Sequence, residues 1–270
     1  MPLRIQRRRT DGLWQAKTLV RWRWAAASEI GTSHLRLGTR KQDAMACFRA
    51  GENGRVLCAL VCDGAGSAEH GGEGASVTCR TLSNALRQHF RQQLVLPDDD
   101  VVWTWIDLAR DRLSVAAENR CKPRRAFAST LVMLAAAGDS LLTAHVGDGS
   151  VVGRDGTESW STLSPPENGE YASMTFFVTD EPAPRLRISR FTGLYTAFAV
   201  FSDGIENFAL DHRSNEPHEP FFRTMFGPLD DTVVEGRSAV LSTALSNFLT
   251  SPRVCEKTDD DKTLLLISSR

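Results

Sequence analysis

No two cysteines in this chain are spaced as Cys-x-x-Cys, and none stands with histidine at zinc-binding spacing, which excludes the common structural zinc sites and redox dithiols. The six that are present, Cys47, Cys58, Cys62, Cys79, Cys121 and Cys255, read as free thiols of a reducing compartment. Long apolar runs are missing too. The best, Leu131 to Ala137, falls far short of the ~20 residues a membrane helix needs, and no apolar core follows Arg7-Arg8-Arg9 as in a signal peptide. A cytoplasmic protein with no membrane partner is expected. Charge of one sign is also lacking: the net charge is -1, so nucleic acid is not an expected partner. No internal repeat or low-complexity linker divides the 270 residues. We expect a flexible segment at 1–16, then a single monomeric domain at 17–270 with an insert around 157–190, where Pro165, Pro166, Pro182 and Pro184 fall.

What the chain does have is a repeated device. Val56 to Cys62 is a continuous apolar run of strand length that stops at Asp63-Gly64. Gly64 and Gly66 would permit positive φ and close approach of the backbone. One Asp-Gly usually marks a hairpin, and Asn53-Gly54 and Asp155-Gly156 read that way. The strand-to-acid pattern nevertheless recurs at Asp148-Gly149 and at Asp203-Gly204, after the run Tyr195 to Phe201.

Around these acids the patterning predicts mixed structure. Lys17 to Ala27 alternates Val20, Trp22 and Trp24 with Arg21 and Arg23, a strand with one solvated face. A strand from Ala44 to Phe48 forms a hairpin with Val56 to Cys62, bringing Asp43 to the same edge as Asp63. Helical spacing covers 74–94, a stretch after Asp98, 220–226 and 233–249. Three strands follow Ala128, and a final one follows the acids at 259–261.

Asp43, Asp63, Asp148, Asp203 and Asp260 or Asp261 thus all sit at strand ends. Gathered carboxylates repel, and a shared divalent cation relieves the repulsion. An oxygen-only ligand set favours Mg²⁺ or Mn²⁺ over zinc. Two such ions ~3.5–4 Å apart can hold a hydroxide for attack on a phosphoryl group, with no protein nucleophile.

The motifs ALVCDGAGSAEHGG, STLVMLA, AHVGDGSVVG, FSDGIEN and DDDKTLLLI occur in the order and approximate spacing of the metal-dependent protein serine/threonine phosphatases, the PPM or type 2C family. GTSHLRLGTRKQDA and ENGEYAS resemble its compact bacterial branch. The resemblance runs from about Trp24 to Ile267 and implies an α+β fold, two antiparallel sheets packed face to face with helices on both outer faces. It implies hydrolysis of phosphoserine or phosphothreonine in a protein substrate, two Mn²⁺ or Mg²⁺ ions with room for a weaker third, and a cognate Ser/Thr kinase as partner. Residue by residue, Asp63 resembles the acid shared by both ions, the Gly64 carbonyl one further ligand, and Asp203 and Asp260 the remainder. Asp148 matches the acid of the third ion, with a tight hairpin turn as its alternative. Asp43 matches an acid that holds metal-bound water, with Gln42 beside it.

Three positions depart from the family pattern. Gln42 stands where many members have an acid. Gly38 occupies the usual place of the phosphate-binding arginine, leaving Arg40, Arg36 and His34 as substrate-binding candidates. Ala65 replaces a histidine proposed to protonate the leaving alcohol, a role that a metal-bound water, His34 or His70 would then take. A catalytically silent binding module and a hydrolase of small phosphoesters stay open as alternatives.

Overall fold

The structure, a computed structural model, describes residues 21–167 and 175–269. The segment 1–16 and all of ENGEYAS after Glu167 lie outside them. The chain runs β1 (Arg23–Glu29), α1 (Thr32–Leu37), β2 (Ala44–Ala50), β3 (Val56–Cys62), α2 (Gly71–Gln92), α3 (Asp99–Asn119), β4 (Leu131–Ala137), β5 (Ser140–Val146) and β6 (Ser150–Asp155). It continues through β7 (Trp160–Ser164), β8 (Arg187–Thr192), β9 (Tyr195–Phe201), α4 (Glu206–Ala209), α5 (Glu219–Asp230), β10 (Gly236–Arg237), α6 (Ala239–Leu249), α7 (Pro252–Cys255) and β11 (Lys262–Ser268).

The strands form two sheets, in the orders β10-β1-β11-β9-β6-β7 and β2-β3-β4-β5-β8. All pairings are antiparallel except β1 with β10. Alternation along each central strand serves two cores at once. Leu57, Ala59 and Val61 of β3 point between the sheets, toward Phe198 and Val200 of β9 and Leu265 and Ile267 of β11. Cys58, Leu60 and Cys62 point the other way, beneath Leu82, Leu86 and Phe90 of α2 and Ile106 and Leu113 of α3. Across the molecule Phe201, Leu264 and Leu266 meet Phe222 and Phe226 of α5 and Leu245 and Leu249 of α6. A strand covered on both faces needs an unbroken apolar run, and these have one. The result is the four-layer α-β-β-α sandwich.

The sequence-based expectations need three adjustments. β1 has no solvated face beyond its first residues, because Ala25 and Ala27 are small enough for α6 to lie over them. The last long helix starts at Ala239, not near 233, because the Ser238 hydroxyl caps it by accepting from the Leu241 N–H at 3.3 Å. The stretch 157–190 is not all excursion: β7 extends the edge of one sheet and β8 the edge of the other. No helix among the described residues is long and apolar enough to cross a membrane.

Candidate metal centre

The β2–β3 register pairs Ala44 with Cys62, which sets Asp43 opposite Asp63 one step beyond the strand ends. Asp203 leaves β9 and Asp260 precedes β11, two strands paired antiparallel from Leu264 with Phe201. Asp148 lies in the crossing from β5 to β6. Those strands belong to different sheets, so the tight-hairpin alternative for Gly147–Gly149 is wrong: the chain changes layer there and carries the acid to the common rim.

Hydroxyls on neighbouring residues fix these acids. The Asp63 N–H donates to Thr130 Oγ1 at 3.1 Å, and the Thr130 N–H donates back to the Asp63 carbonyl at 2.8 Å. Asp43 Oδ2 accepts from Ser202 Oγ at 2.9 Å and from Thr263 Oγ1 at 2.6 Å. Thr175 Oγ1 donates to Asp148 Oδ2. Sequence reading missed all four hydroxyl residues, although three adjoin the motifs: STLV contains Thr130, FSDG contains Ser202 and DDKT contains Thr263.

The glycines serve approach more than turning. A Cβ on Gly64 would lie 2.3 Å from the Gly71 carbonyl carbon, so the start of α2 reaches the turn only because that side chain is absent. Neither Gly64 nor Gly66 adopts positive φ, contrary to the expectation for both. With its amide nitrogen facing the turn, the orientation that satisfies both ends of the side chain, Gln42 donates to the Gly64 carbonyl at 2.8 Å and the Ala65 carbonyl at 3.1 Å. Gln42 therefore braces the turn where an acid would add another charge.

The electrostatics of the rim are those of uncompensated acids. Burial, and then the charges of Asp43, Asp203 and Asp260, hold the Asp63 carboxyl well above the usual range. Burial also raises Asp43 to about 6 against the pull of its hydrogen-bond donors, and raises Asp203 to about 8 with repulsion from Asp148 and Asp260. Asp148 and Asp260 are raised for the same first reason. Asp43 and Asp63 stand close enough that the charge of the one raises the other, as adjacent acids do. Lys262, fully buried nearby, does not answer the charge: its ammonium donates to the carbonyls of Ile30 at 3.3 Å and Asp260 at 3.1 Å.

Among the described residues no group of three or more His, Cys, Asp or Glu side chains already stands arranged to hold an ion. Two observations nevertheless fit a hard cation. Asp43 Oδ1 and Asp203 Oδ1 are buried with no hydrogen-bond partner, and the converging donors are all oxygens. Asp261 is different. Its carboxylate accepts from the Gly31 N–H at 2.6 Å and from the Gln42 N–H, so it ties the loop before β2 to β11 while Asp260 keeps its side chain at the rim.

The substrate-binding candidates separate. His34 is buried, its Nδ1 2.7 Å from Thr39 Oγ1, and it lies close enough to Asp260 to influence that acid's ionisation. Arg36 is engaged by Asp259 at 2.6 Å. Arg40 is exposed and has no side-chain partner among the described residues. Gly38 ends α1 at φ 66°, a left-handed position that an arginine would occupy only with strain, which explains its departure from the family pattern. His70 stacks on Phe127 with ring centroids 4.9 Å apart and neighbours Glu69, a packing role.

Comparison with known proteins places the family and the fold. A family model described as protein phosphatase 2C matches residues 30–250. The chain is 38% identical over 248 residues to serine/threonine-protein phosphatase 3 of Escherichia coli (strain K12), covering 91% of this chain and 97% of that protein. Among solved structures, PppA, described as a key regulatory component of T6SS in Pseudomonas aeruginosa, superposes with a TM-score of 0.63 at 18% identity, over 93% of this chain and 98% of that one. The catalytic domain of the serine threonine protein phosphatase PstP, solved in complex with 2 manganese ions, gives 0.59 at 15% identity over 92% and 98%. At these identities the two structures speak for the fold alone.

Proposed function

The chain belongs to the protein phosphatase 2C family, and we propose that its strand-end aspartates form the divalent-metal centre with which it acts as a serine/threonine-protein phosphatase. Its substrates are phosphorylated proteins, and its family depends on metal. The observation that carries the site assignment is the rim itself: five buried or half-buried aspartates, raised by burial and mutual repulsion, with two carboxylate oxygens left unpartnered.

In this reading Asp63, the Gly64 carbonyl, Asp203 and Asp260 hold two ions, Mn²⁺ or Mg²⁺, and Asp148 serves a weaker third. Bound divalent ions offset the carboxylate charge, bring water to the ionisation needed for attack near neutral pH and polarise the phosphoryl oxygens. The chain's own residues do the positioning. Ser202 and Thr263 hold one oxygen of Asp43 and leave the other free to orient a water. Thr130 fixes the backbone of Asp63 at both its N–H and its carbonyl. Arg40, exposed and unengaged among the described residues, is the candidate for the substrate phosphate, and His34 the candidate to hand a proton to the departing serine or threonine oxygen. Of the three features that allowed a silent binding module, Gln42, Gly38 and Ala65, the first two have a local structural reason, which favours the enzyme.

Chelator-stripped protein should not hydrolyse a phosphothreonine peptide. Mn²⁺ or Mg²⁺ should restore turnover in the wild type, while Asp63→Asn and Asp203→Asn should stay lower in kcat/KM by more than about 100-fold, a loss reached even by groups that merely brace a metal ligand. Full turnover in chelator, or in both variants, would overturn the assignment. Turnover of p-nitrophenyl phosphate but of no phosphopeptide would move the substrate class to small esters.

A further inference from the structure

Two depressions, of about 410 and 390 Å³, share one residue, Arg125. The segment before β4 connects them to the rim. The Thr130 N–H donates to the Asp63 carbonyl at 2.8 Å, the Ala65 N–H to the Ala128 carbonyl at 3.0 Å, and the His70 N–H to the Ala126 carbonyl at 2.8 Å. Arg125 therefore stands at the far end of a shelf that begins at Asp63. Phe177 packs against Ala65, Ala68 and Ala128, giving the shelf an apolar floor between the charged side chains of Glu69, Lys122 and Arg125. Its outer wall is fixed by the buried Arg110 of α3, which donates to the carbonyls of Val178 and Asp180, each at 2.7 Å.

The charges along this shelf are mostly spoken for. Lys122 pairs with Glu69 at 2.6 Å, Arg124 with Glu181, and Arg185 with Glu167 at 2.6 Å. Asp180 accepts from the Phe177 N–H at 2.8 Å. Arg125 is exposed, and among the described residues its guanidinium has no hydrogen bond or ion pair. A free planar fork beside an apolar floor suits a carboxylate carried on an extended chain. A second phosphate suits it less, since a dianion there would meet the charges of Glu69, Asp180 and Glu181.

We propose that Arg125 is a specificity-determining residue that receives an aspartate or glutamate side chain of the substrate polypeptide, a few residues from the phosphorylated one, with Phe177 supporting the chain between. This rests on the phosphatase reading of the acid centre. The test is kcat/KM on matched phosphothreonine peptides carrying either glutamate or alanine at successive flanking positions, for wild type, Arg125→Ala, Arg125→Glu and Arg125→Lys. At one or two positions the wild type should favour glutamate by about two- to fivefold, the scale of one exposed ion pair. Arg125→Ala should abolish that preference, Arg125→Glu should reverse it, and Arg125→Lys should keep part of it. Equal turnover of glutamate and alanine peptides by the wild type, or a preference that survives Arg125→Glu, would overturn the shelf and leave the phosphatase standing. No turnover of any peptide by metal-loaded wild type would remove both.

Discussion

Asp260 and Asp261 are adjacent and chemically identical, yet their surroundings give them opposite work. Asp261 is buried and accepts from two backbone N–H groups, so it is a structural tie. Asp260 is raised by burial and by the charge of Asp261, and its carboxylate stays at the rim. Asp261→Asn should therefore cost about 1–3 kcal/mol in urea unfolding, because an amide cannot accept from both donors. Asp260→Asn should leave metal-free stability unchanged or higher, since it removes a repelling charge, while weakening Mn²⁺ binding in calorimetry. Equal effects on folding would show that the two residues are not divided in this way. The sequence favoured Asp260 only by analogy with a motif. The distinction rests on which backbone amides fold back onto which carboxylate, and no spacing rule encodes that.

The strands and their acids were legible because each central strand is covered on both faces, and double coverage demands the unbroken apolar runs that mark β3, β4, β9 and β11. The Asp43–Asp63 juxtaposition followed from hairpin geometry alone. What stayed hidden were contacts between elements distant in sequence: α6 over the alanines of β1, the change of sheet at Asp148, and the hydroxyls of Thr130, Ser202 and Thr263 reaching acids from other strands. The start of α2 against the Asp63 turn belongs with these. Gly64→Ala would set a methyl 2.3 Å from the Gly71 carbonyl carbon and push the helix start away from the turn. It should cost about 1–3 kcal/mol, as overpacking does, and lower kcat with it. A variant of unchanged stability and activity would show that the close approach at Gly64 is dispensable.

Taken as a whole, the molecule stabilises its rim with packing from two sheets and four long helices, α2, α3, α5 and α6, while the rim itself works against the fold. Without metal, Asp43 and Asp203 bind protons more tightly in the folded chain, to about 6 and about 8, than in the unfolded one. The folded state then holds more protons than the unfolded state between roughly pH 4 and 8, so stability must fall as pH rises through that window. A bound divalent cation replaces those protons and removes the slope. The most direct measurement is the thermal midpoint of chelator-stripped protein at pH 6 and pH 8, each with and without Mn²⁺. The metal-free midpoint should drop by about 5 °C or more toward pH 8, the scale of a few kcal/mol in a domain of this size, and saturating Mn²⁺ should recover it. A midpoint that is flat with pH in the absence of metal, or that Mn²⁺ fails to raise at pH 8, would contradict a rim of crowded carboxylates built to hold divalent ions.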